Sequence, residues 1–292
     1  MKNTVLRATA GQGSIRIFVA NTTNMVEKAR KTHMASPVAI AALGRTLTAT
    51  SIMGLMLKKD GEKITVKIDG KGPLGPIVVV SDHLGQVKGY VSHPQVKGSN
   101  IRPGKLNVGE AVGNKGNITV IKDLGLREPY RGTYELVSGE IGEDFAAYFL
   151  HSEQQPSAVA LGVLVDRDYS IKASGGFILQ VLPNAKIEVI SKLEEKLSKL
   201  EPITVLMEKG MSEEDILHHV LGDMDVKILE RNEIDFVCDC NAERFERGLI
   251  SLGKKELKEI IEEDKGAELQ CHFCNEKYYF DEENLKGLLS RI

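Results

Sequence analysis

The stretch CDCNAERFERGLISLGKKELKEIIEEDKGAELQCHFC, residues 238–274, contains all four cysteines of this 292-residue chain. They form two close pairs, Cys238 with Cys240 and Cys271 with Cys274, and residues 241–270 separate the pairs. Cys-X-X-Cys is a common half-site for tetrahedral zinc, and four thiolates close the coordination sphere. We therefore predict a structural zinc site that holds one Zn²⁺ per chain on these four residues.

The Cys-X-Cys half of the site is a rarer spacing than Cys-X-X-Cys, and it restricts the backbone conformation more strongly. In a fully extended strand, residues two apart lie roughly 7 Å from each other. Two sulfurs on one zinc are only about 3.8 Å apart, given Zn–S bonds near 2.3 Å. The chain should therefore bend between Cys238 and Cys240. Four inert thiols are the alternative interpretation, and His272 is expected to be exposed because a fifth ligand is not needed.

The apolar residues around the cysteines are few for a segment of this length. Two helices are predicted between the cysteine pairs, the first capped by Asn241, and a strand and a last helix capped by Asp281 follow the second pair. The apolar positions expected to form their core are Phe245, Leu249, Leu252, Leu257, Ile260, Ile261, Tyr278, Phe280, Leu285, Leu288 and Leu289. A domain of this size usually needs a disulfide or a metal to stay folded.

The same four cysteines suit a redox switch. The thiolate is the oxidisable form of cysteine, and zinc keeps all four deprotonated. Because the members of each pair are so close in sequence, oxidation would most simply form Cys238–Cys240 and Cys271–Cys274. Each of these disulfides closes a loop of only a few residues. Oxidation would therefore remove the metal and put no equivalent cross-link in its place.

The remainder of the chain predicts an α+β fold in two further regions. Residues 1–180 read as a mixed core domain of short strands and helices, in which the apolar run 157–165 is expected to be a central strand. Residues 181–237 read as a helical linker, in which Ser212 and Asp215 form a capping box. The linker is expected to end in a hairpin formed by 226–229 and 234–237. The zinc domain is assigned to 238–292.

The linker helices have narrow apolar stripes, and isolated helices of this length are marginally stable. We expect the folded zinc domain to pack against them as a latch, and its dismantling to expose a set of apolar side chains that binds unfolded proteins. This set is Leu193, Leu197, Ile216, Leu217 and Leu221.

Composition argues against several classes of protein. The net charge is −3, and residues 238–292 carry nine Lys and Arg against thirteen Asp and Glu, which disfavours binding to nucleic acid. The sequence offers no P-loop, no HExxH and no GxSxG motif, so we do not expect an enzyme. The N-terminus does not resemble a signal peptide, which favours the cytosol. The apolar stretch 37–57 contains Arg45, so a buried helix is favoured over a membrane span.

CDCNAERFERGLISLGKKEL (238–257) followed by CHFCNEKYYF (271–280) strongly resembles the redox-regulated holdase chaperones, the thirty-three-kilodalton heat-shock proteins of bacteria. GPLGPI (72–77), SEQQPS (152–157) and ASGGFILQ (173–180) resemble other segments of that family. The resemblance implies an ATP-independent chaperone that is inactive when reduced and zinc-bound. Under oxidants it would release zinc, form two disulfides and bind unfolding or oxidatively damaged proteins, as a homodimer. The alternative is a zinc-ribbon adaptor for protein or nucleic acid without a redox role.

Overall fold

The computed structural model describes residues 2–102, 105–183 and 185–292, which fall into two units: one ends at Val237 and the other comprises Cys238–Ile292. The helices are α1 (Thr23–His33), α2 (Pro37–Gly54), α3 (Val108–Val112), α4 (Gly142–His151), α5 (Ile187–Ser198), α6 (Ile203–Glu208), α7 (Glu213–Leu221), α8 (Ala242–Leu252), α9 (Lys254–Glu263) and α10 (Glu282–Leu289). The strands are β1 (Thr4–Ala10), β2 (Ile15–Asn21), β3 (Lys63–Asp69), β4 (Ile77–Asp82), β5 (Val87–Val91), β6 (Asn100–Arg102), β7 (Lys105–Leu106), β8 (Asn117–Asp123), β9 (Tyr130–Glu135), β10 (Ser157–Val165), β11 (Ile171–Val181), β12 (Lys227–Glu233), β13 (Gly266–Gln270) and β14 (Lys277–Asp281). The predicted α+β class is confirmed.

Helix α2 lies at the centre of the first unit, in contact with both of its five-stranded sheets. Its N-cap is Ser36, whose hydroxyl accepts a hydrogen bond from the backbone of Ala39, and Pro37 occupies the first turn. Every residue of α2 except Pro37 and Arg45 is buried, which explains why the sequence shows no polar stripe. Arg45 pairs with Glu140, Nη1 to Oε2 2.8 Å. In the part of the chain that the structure describes, no helix is long and apolar enough to cross a membrane.

The two sheets have different surroundings. One sheet has the strand order β5-β4-β3-β8-β9, and the other has the strand order β10-β11-β2-β1-β12. Alternate residues of β2 and β11 point to opposite faces of the second sheet, as the period of two requires. Phe18 and Ile178 join the core that contains α2, whereas Ile17 and Leu179 join a second core that contains α5, α6 and α7. This second sheet is therefore covered by helices on both faces.

The sequence expectation for residues 157–165 is wrong. They form β10, which lies at the edge of its sheet and, among the described residues, pairs with β11 alone. Val159 and Leu161 pack against the core around α2, while Ala158 and Ala160 pack against the core beneath α5–α7. The apolar run therefore reflects two covered faces and not two neighbouring strands.

The expected hairpin of 226–229 and 234–237 is also wrong. Residues 227–233 form one strand, β12, which pairs antiparallel with β1 and has a register shift between Arg7 and Ala8. Phe236 forms a parallel bridge with Val87 instead. Because β12 and β11 share one sheet, residues on both sides of position 180 contribute to it, and the proposed boundary between 1–180 and 181–237 stays a prediction.

The apolar side chains of the linker helices are covered by residues other than those that the latch hypothesis expects. Leu193, Ile216, Leu217 and Leu221 are buried, and Leu197 packs against the same core. This core consists of residues of the first unit, including Leu6, Ile17, Val19, Phe177 and Leu179 of the sheet. The cover of these side chains is therefore the sheet of their own unit.

Candidate metal centre

The hairpin β13–β14 positions the second cysteine pair. The backbone N–H of Cys271 donates to the carbonyl of Glu276 (2.9 Å), and that of Asn275 donates to the carbonyl of Cys271 (2.7 Å). Asn275 has φ 61°, a left-handed conformation that asparagine tolerates better than most residues. The turn thereby folds Cys271 and Cys274 back into one knuckle, as the Cys-X-X-Cys spacing predicts.

The first cysteine pair lies between the Phe236 bridge and helix α8, in chain without regular secondary structure. The Asn241 side chain accepts a hydrogen bond from the N–H of Arg244 (3.0 Å), so Asn241 begins α8 directly after Cys240, as predicted. Arg244 also pairs with Asp239, Nη1 to Oδ1 3.2 Å. The residue between the two cysteines is thus tied to the first turn of the helix.

The structure brings all four sulfurs together. The Sγ atoms of Cys238, Cys240, Cys271 and Cys274 lie within 4.8 Å of one another, and all four thiols are free. Cys238 and Cys271 are 3.7 Å apart, and Cys240 and Cys274 are 3.3 Å apart. A tetrahedral zinc with Zn–S bonds near 2.3 Å needs sulfurs about 3.8 Å apart. The cluster therefore fits a tetrahedral metal ion that prefers sulfur.

Burial differs among the four cysteines and shifts their acidity in different directions. Burial raises the pKa of Cys238 to about 11, although a backbone hydrogen bond from Cys240 opposes it. Burial also raises the pKa of Cys274. Burial is the largest single influence on Cys240 and opposes its ionisation, but the hydrogen bonds from Tyr278 and the other cysteines together outweigh burial and lower the pKa of Cys240. Metal binding at this site would therefore displace protons from at least two thiols.

The core that supports the site is small. Helices α8, α9 and α10 and strand β14 contribute six buried apolar residues: Leu249, Leu257, Ile261, Phe280, Leu285 and Leu288. The Asp281 side chain accepts a hydrogen bond from the N–H of Asn284 and begins α10, as predicted. Six buried side chains are few for the 55 residues of this unit, which agrees with its predicted need for a metal.

Tyr278 was expected only as a core residue of this unit, and the structure also places it beside the sulfur cluster. Its hydroxyl lies 3.2 Å from Cys240 Sγ, and its ring packs on Phe245 with centroids 4.6 Å apart. The sequence does indicate on which face of the strand Tyr278 lies. It comes two residues before the buried Phe280, and residues two apart on a strand share a face.

The histidines of the sequence lie outside the sulfur cluster. His272 is exposed, as expected. His33 is buried beside the carbonyl of Gly89 (Nε2 to O 2.9 Å), and the ring of His151 stacks on Tyr134. His33 and His151 therefore contact residues of the first unit.

Comparison with known proteins gives one consistent result. The family model described as Hsp33 protein matches residues 3–281. The 33 kDa chaperonin of Alkaliphilus metalliredigens is 66% identical over 292 residues, which cover 100% of both chains. That of Clostridioides difficile is 56% identical, again over 100% of both chains.

A solved structure agrees with the sequence relatives. The crystal structure of a 33 kDa chaperonin, a heat shock protein 33 homologue from Thermotoga maritima, matches with a TM-score of 0.91 and 35% identity. The match covers 100% of this chain and 99% of that one. The full-length match, together with the four clustered cysteines, shows that this chain belongs to the Hsp33 family of heat-shock chaperones, which are not enzymes.

Proposed function

We propose that this chaperone is an ATP-independent holdase under redox control, inactive when reduced and zinc-bound. On oxidation it releases zinc, forms two disulfides and protects unfolding or oxidatively damaged proteins from aggregation. The observation that carries the proposal is the cluster of four sulfurs within 4.8 Å in a unit with a small apolar core. It acts in the cytoplasm, and the oxidised form is a homodimer.

The resident metal in this proposal is one Zn²⁺ per chain, bound by Cys238, Cys240, Cys271 and Cys274. An all-sulfur donor set with near-tetrahedral spacing favours zinc among the common cellular cations. Binding of structural zinc to small domains is worth about 10–16 kcal/mol, comparable with the total stability of a domain at about 5–15 kcal/mol. Removal of the metal should therefore unfold residues 238–292.

The proposed disulfides are Cys238–Cys240 and Cys271–Cys274. All four sulfurs are within reach of one another, so their positions in the cluster do not select a pairing. The pairing is favoured by chain spacing, because the members of a pair stay close after the cluster opens. Cross-pairs such as Cys238–Cys271 would replace the metal with a long-range staple and would keep the unit closed.

The surface for clients is proposed to appear when α5–α7 leave the sheet. Their buried side chains and the sheet residues beneath them form one continuous apolar core. Separation would expose both sides of this core, and exposed apolar surface binds unfolded chains.

The test compares reduced and peroxide-treated full-length protein in three measurements. Reduced protein should contain one zinc per chain and leave client aggregation unchanged. Peroxide should release the zinc, give the two local disulfides in peptide maps, and produce suppression of aggregation. Cys274→Ser should lose tight zinc binding under reducing conditions, whereas the matched knuckle variant His272→Ala should keep it.

Two results would contradict the proposal. Zinc-free protein after reducing purification would remove its basis. Equal suppression of aggregation with and without peroxide would favour an adaptor without a redox role.

A further inference from the structure

Tyr278 is held against Cys240 by contacts on two sides. Its backbone pairs with Leu269 in the β13–β14 hairpin, and its ring packs on Phe245 of α8 with centroids 4.6 Å apart. These contacts place the hydroxyl 3.2 Å from Cys240 Sγ. The next residue, Tyr279, points to the opposite face and is 69% exposed.

We propose that Tyr278 is a positioning residue of the switch, whose hydroxyl donates a hydrogen bond to the Cys240 thiolate and slows its oxidation. The inference rests on the proposed redox function and deepens it, because it assigns the sensitivity of the site to one side chain outside the ligand set.

The direction of the hydrogen bond follows from the chemistry of the two groups. A metal-bound thiolate has no proton to donate, whereas the phenol has one. A hydrogen bond to an anion is stronger than one between neutral groups. It draws electron density from the sulfur and lowers its nucleophilicity, so attack on a peroxide becomes slower.

The step that Tyr278 affects is the first of two. The Cys240 sulfur attacks one oxygen of hydrogen peroxide, an S–O bond forms, the O–O bond breaks, and hydroxide leaves. The thiolate of Cys238 then attacks that sulfur, an S–S bond forms, the S–O bond breaks, and a second hydroxide leaves. Peroxide gains the two electrons that the sulfurs lose. The hydrogen bond opposes the first step because that step uses the sulfur lone pair.

The test uses the zinc-loaded full-length protein with Tyr278→Phe, which removes the hydroxyl and keeps the ring on Phe245. Peroxide is added, and zinc release is followed with a chromogenic chelator. Because the sulfur keeps part of its charge in the transition state, only part of the hydrogen-bond energy is lost there, and its removal should make release faster by roughly three- to tenfold. Tyr279→Phe is the matched control, because it removes a hydroxyl from the same strand on the other face, and its rate should equal that of the wild type.

A second measurement needs no oxidant. The protein is loaded with Co²⁺ under anaerobic conditions, and the sulfur-to-cobalt charge-transfer band is recorded. A hydrogen bond to the thiolate lowers the energy of the sulfur lone pair, so Tyr278→Phe should move the band to lower energy. Tyr279→Phe should leave it in place. A purely structural role of the ring would not move the band, since phenylalanine keeps the ring.

The outcomes separate this inference from the proposed function. Suppose that peroxide releases zinc from the wild type, and that Tyr278→Phe has the same zinc-release rate and the same charge-transfer band as the wild type. This result would overturn the inference and leave the proposed function untouched. Failure of Tyr278→Phe to bind zinc under reducing conditions would show a structural role and would overturn it as well. Absence of zinc release from the wild type would contradict the redox function itself.

Discussion

Glu27 shows how a single side chain joins two elements of the first unit. Its carboxylate accepts hydrogen bonds from Arg30, Nε and Nη2 both at 2.8 Å, and from the N–H of Ile171 at 3.1 Å. The hydrogen bond from Arg30 is the main cause that lowers the pKa of Glu27 to about 2, against the opposing effect of burial. The side chain thereby joins α1 to β11, in the sheet that also carries the linker helices.

The pH dependence of this contribution follows from the lowered pKa. A carboxyl whose pKa is depressed by folding stabilises the folded state fully above its unfolded pKa, and the contribution fades as pH falls toward the folded value. Glu27→Gln should lower the free energy of unfolding of the first unit by about 1–2 kcal/mol at pH 7. The difference between variant and wild type should shrink between about pH 4.5 and pH 2.

The measurement is urea unfolding at several pH values, with the exposed Glu194→Gln as control. The control should match the wild type throughout this range. A difference for Glu27→Gln that stays constant down to pH 3 would contradict the assigned role of its charge.

At the level of elements, the layer formed by α5, α6 and α7 is the part of the first unit that we propose to move. Its helices are short, and α7 begins with the predicted capping box, in which Ser212 Oγ accepts from the N–H of Asp215 at 3.2 Å. The layer is held mainly by its apolar core against the sheet. We expect the stability of the contact between this layer and the sheet to determine how easily the client surface is exposed.

Leu217→Ala tests this expectation, because Leu217 is fully buried between α7 and the sheet. Removing a buried leucine side chain costs about 2–5 kcal/mol. The reduced, zinc-bound variant should therefore bind a hydrophobic dye more strongly than the wild type and partly suppress aggregation without peroxide. The control is Leu229→Ala on β12, where the side chain is 50% exposed and little should change. Wild-type dye binding by Leu217→Ala would show that the layer does not control exposure.

On the scale of the whole molecule, the linker joins the two units through an edge strand. β12 is exposed along nearly all of its length, and in the part of the chain that the structure describes its one neighbouring strand is β1. Cys238 follows it after four residues. Residues 234–237 anchor the end of β12, because Ile234 and Phe236 are buried and Phe236 bridges to Val87. Unfolding of residues 238–292 would leave this anchor at the end of the folded chain, where fraying begins. Loss of β12 would free the end of the segment that carries α5–α7.

A chain that ends at Val237 should therefore suppress client aggregation without oxidant and bind more hydrophobic dye than reduced full-length protein. It contains no cysteine, so the result also shows whether oxidised cysteines are needed to contact clients. Amide hydrogen exchange should show faster exchange in α5–α7 and β12 than in α2. A truncated chain that stays well folded and shows no holdase activity would refute the latch hypothesis in its corrected form.

The sequence by itself determined the features whose chemistry is local. The caps at Ser212, Asn241 and Asp281 follow from one side chain and a backbone N–H three residues later. The four clustered cysteines could also be predicted from the sequence, because the Cys-X-Cys and Cys-X-X-Cys motifs contain all of them. The bend between Cys238 and Cys240 stays a prediction, which rests on backbone dimensions and the length of Zn–S bonds.

Only the tertiary structure decided which distant segments meet. β12 pairs with β1, which lies more than two hundred residues earlier in the chain, and no local pattern in either strand predicts this pairing. The apolar run of β10 is compatible with a central strand, but β10 lies at the edge of its sheet and is apolar because both of its faces are covered. The contact of Tyr278 with Cys240 arises in the same way, because the hairpin and helix α8 must both form before the hydroxyl reaches the sulfur. Periodicity reports that a side chain is buried, whereas its partner is chosen by the packing of the whole chain.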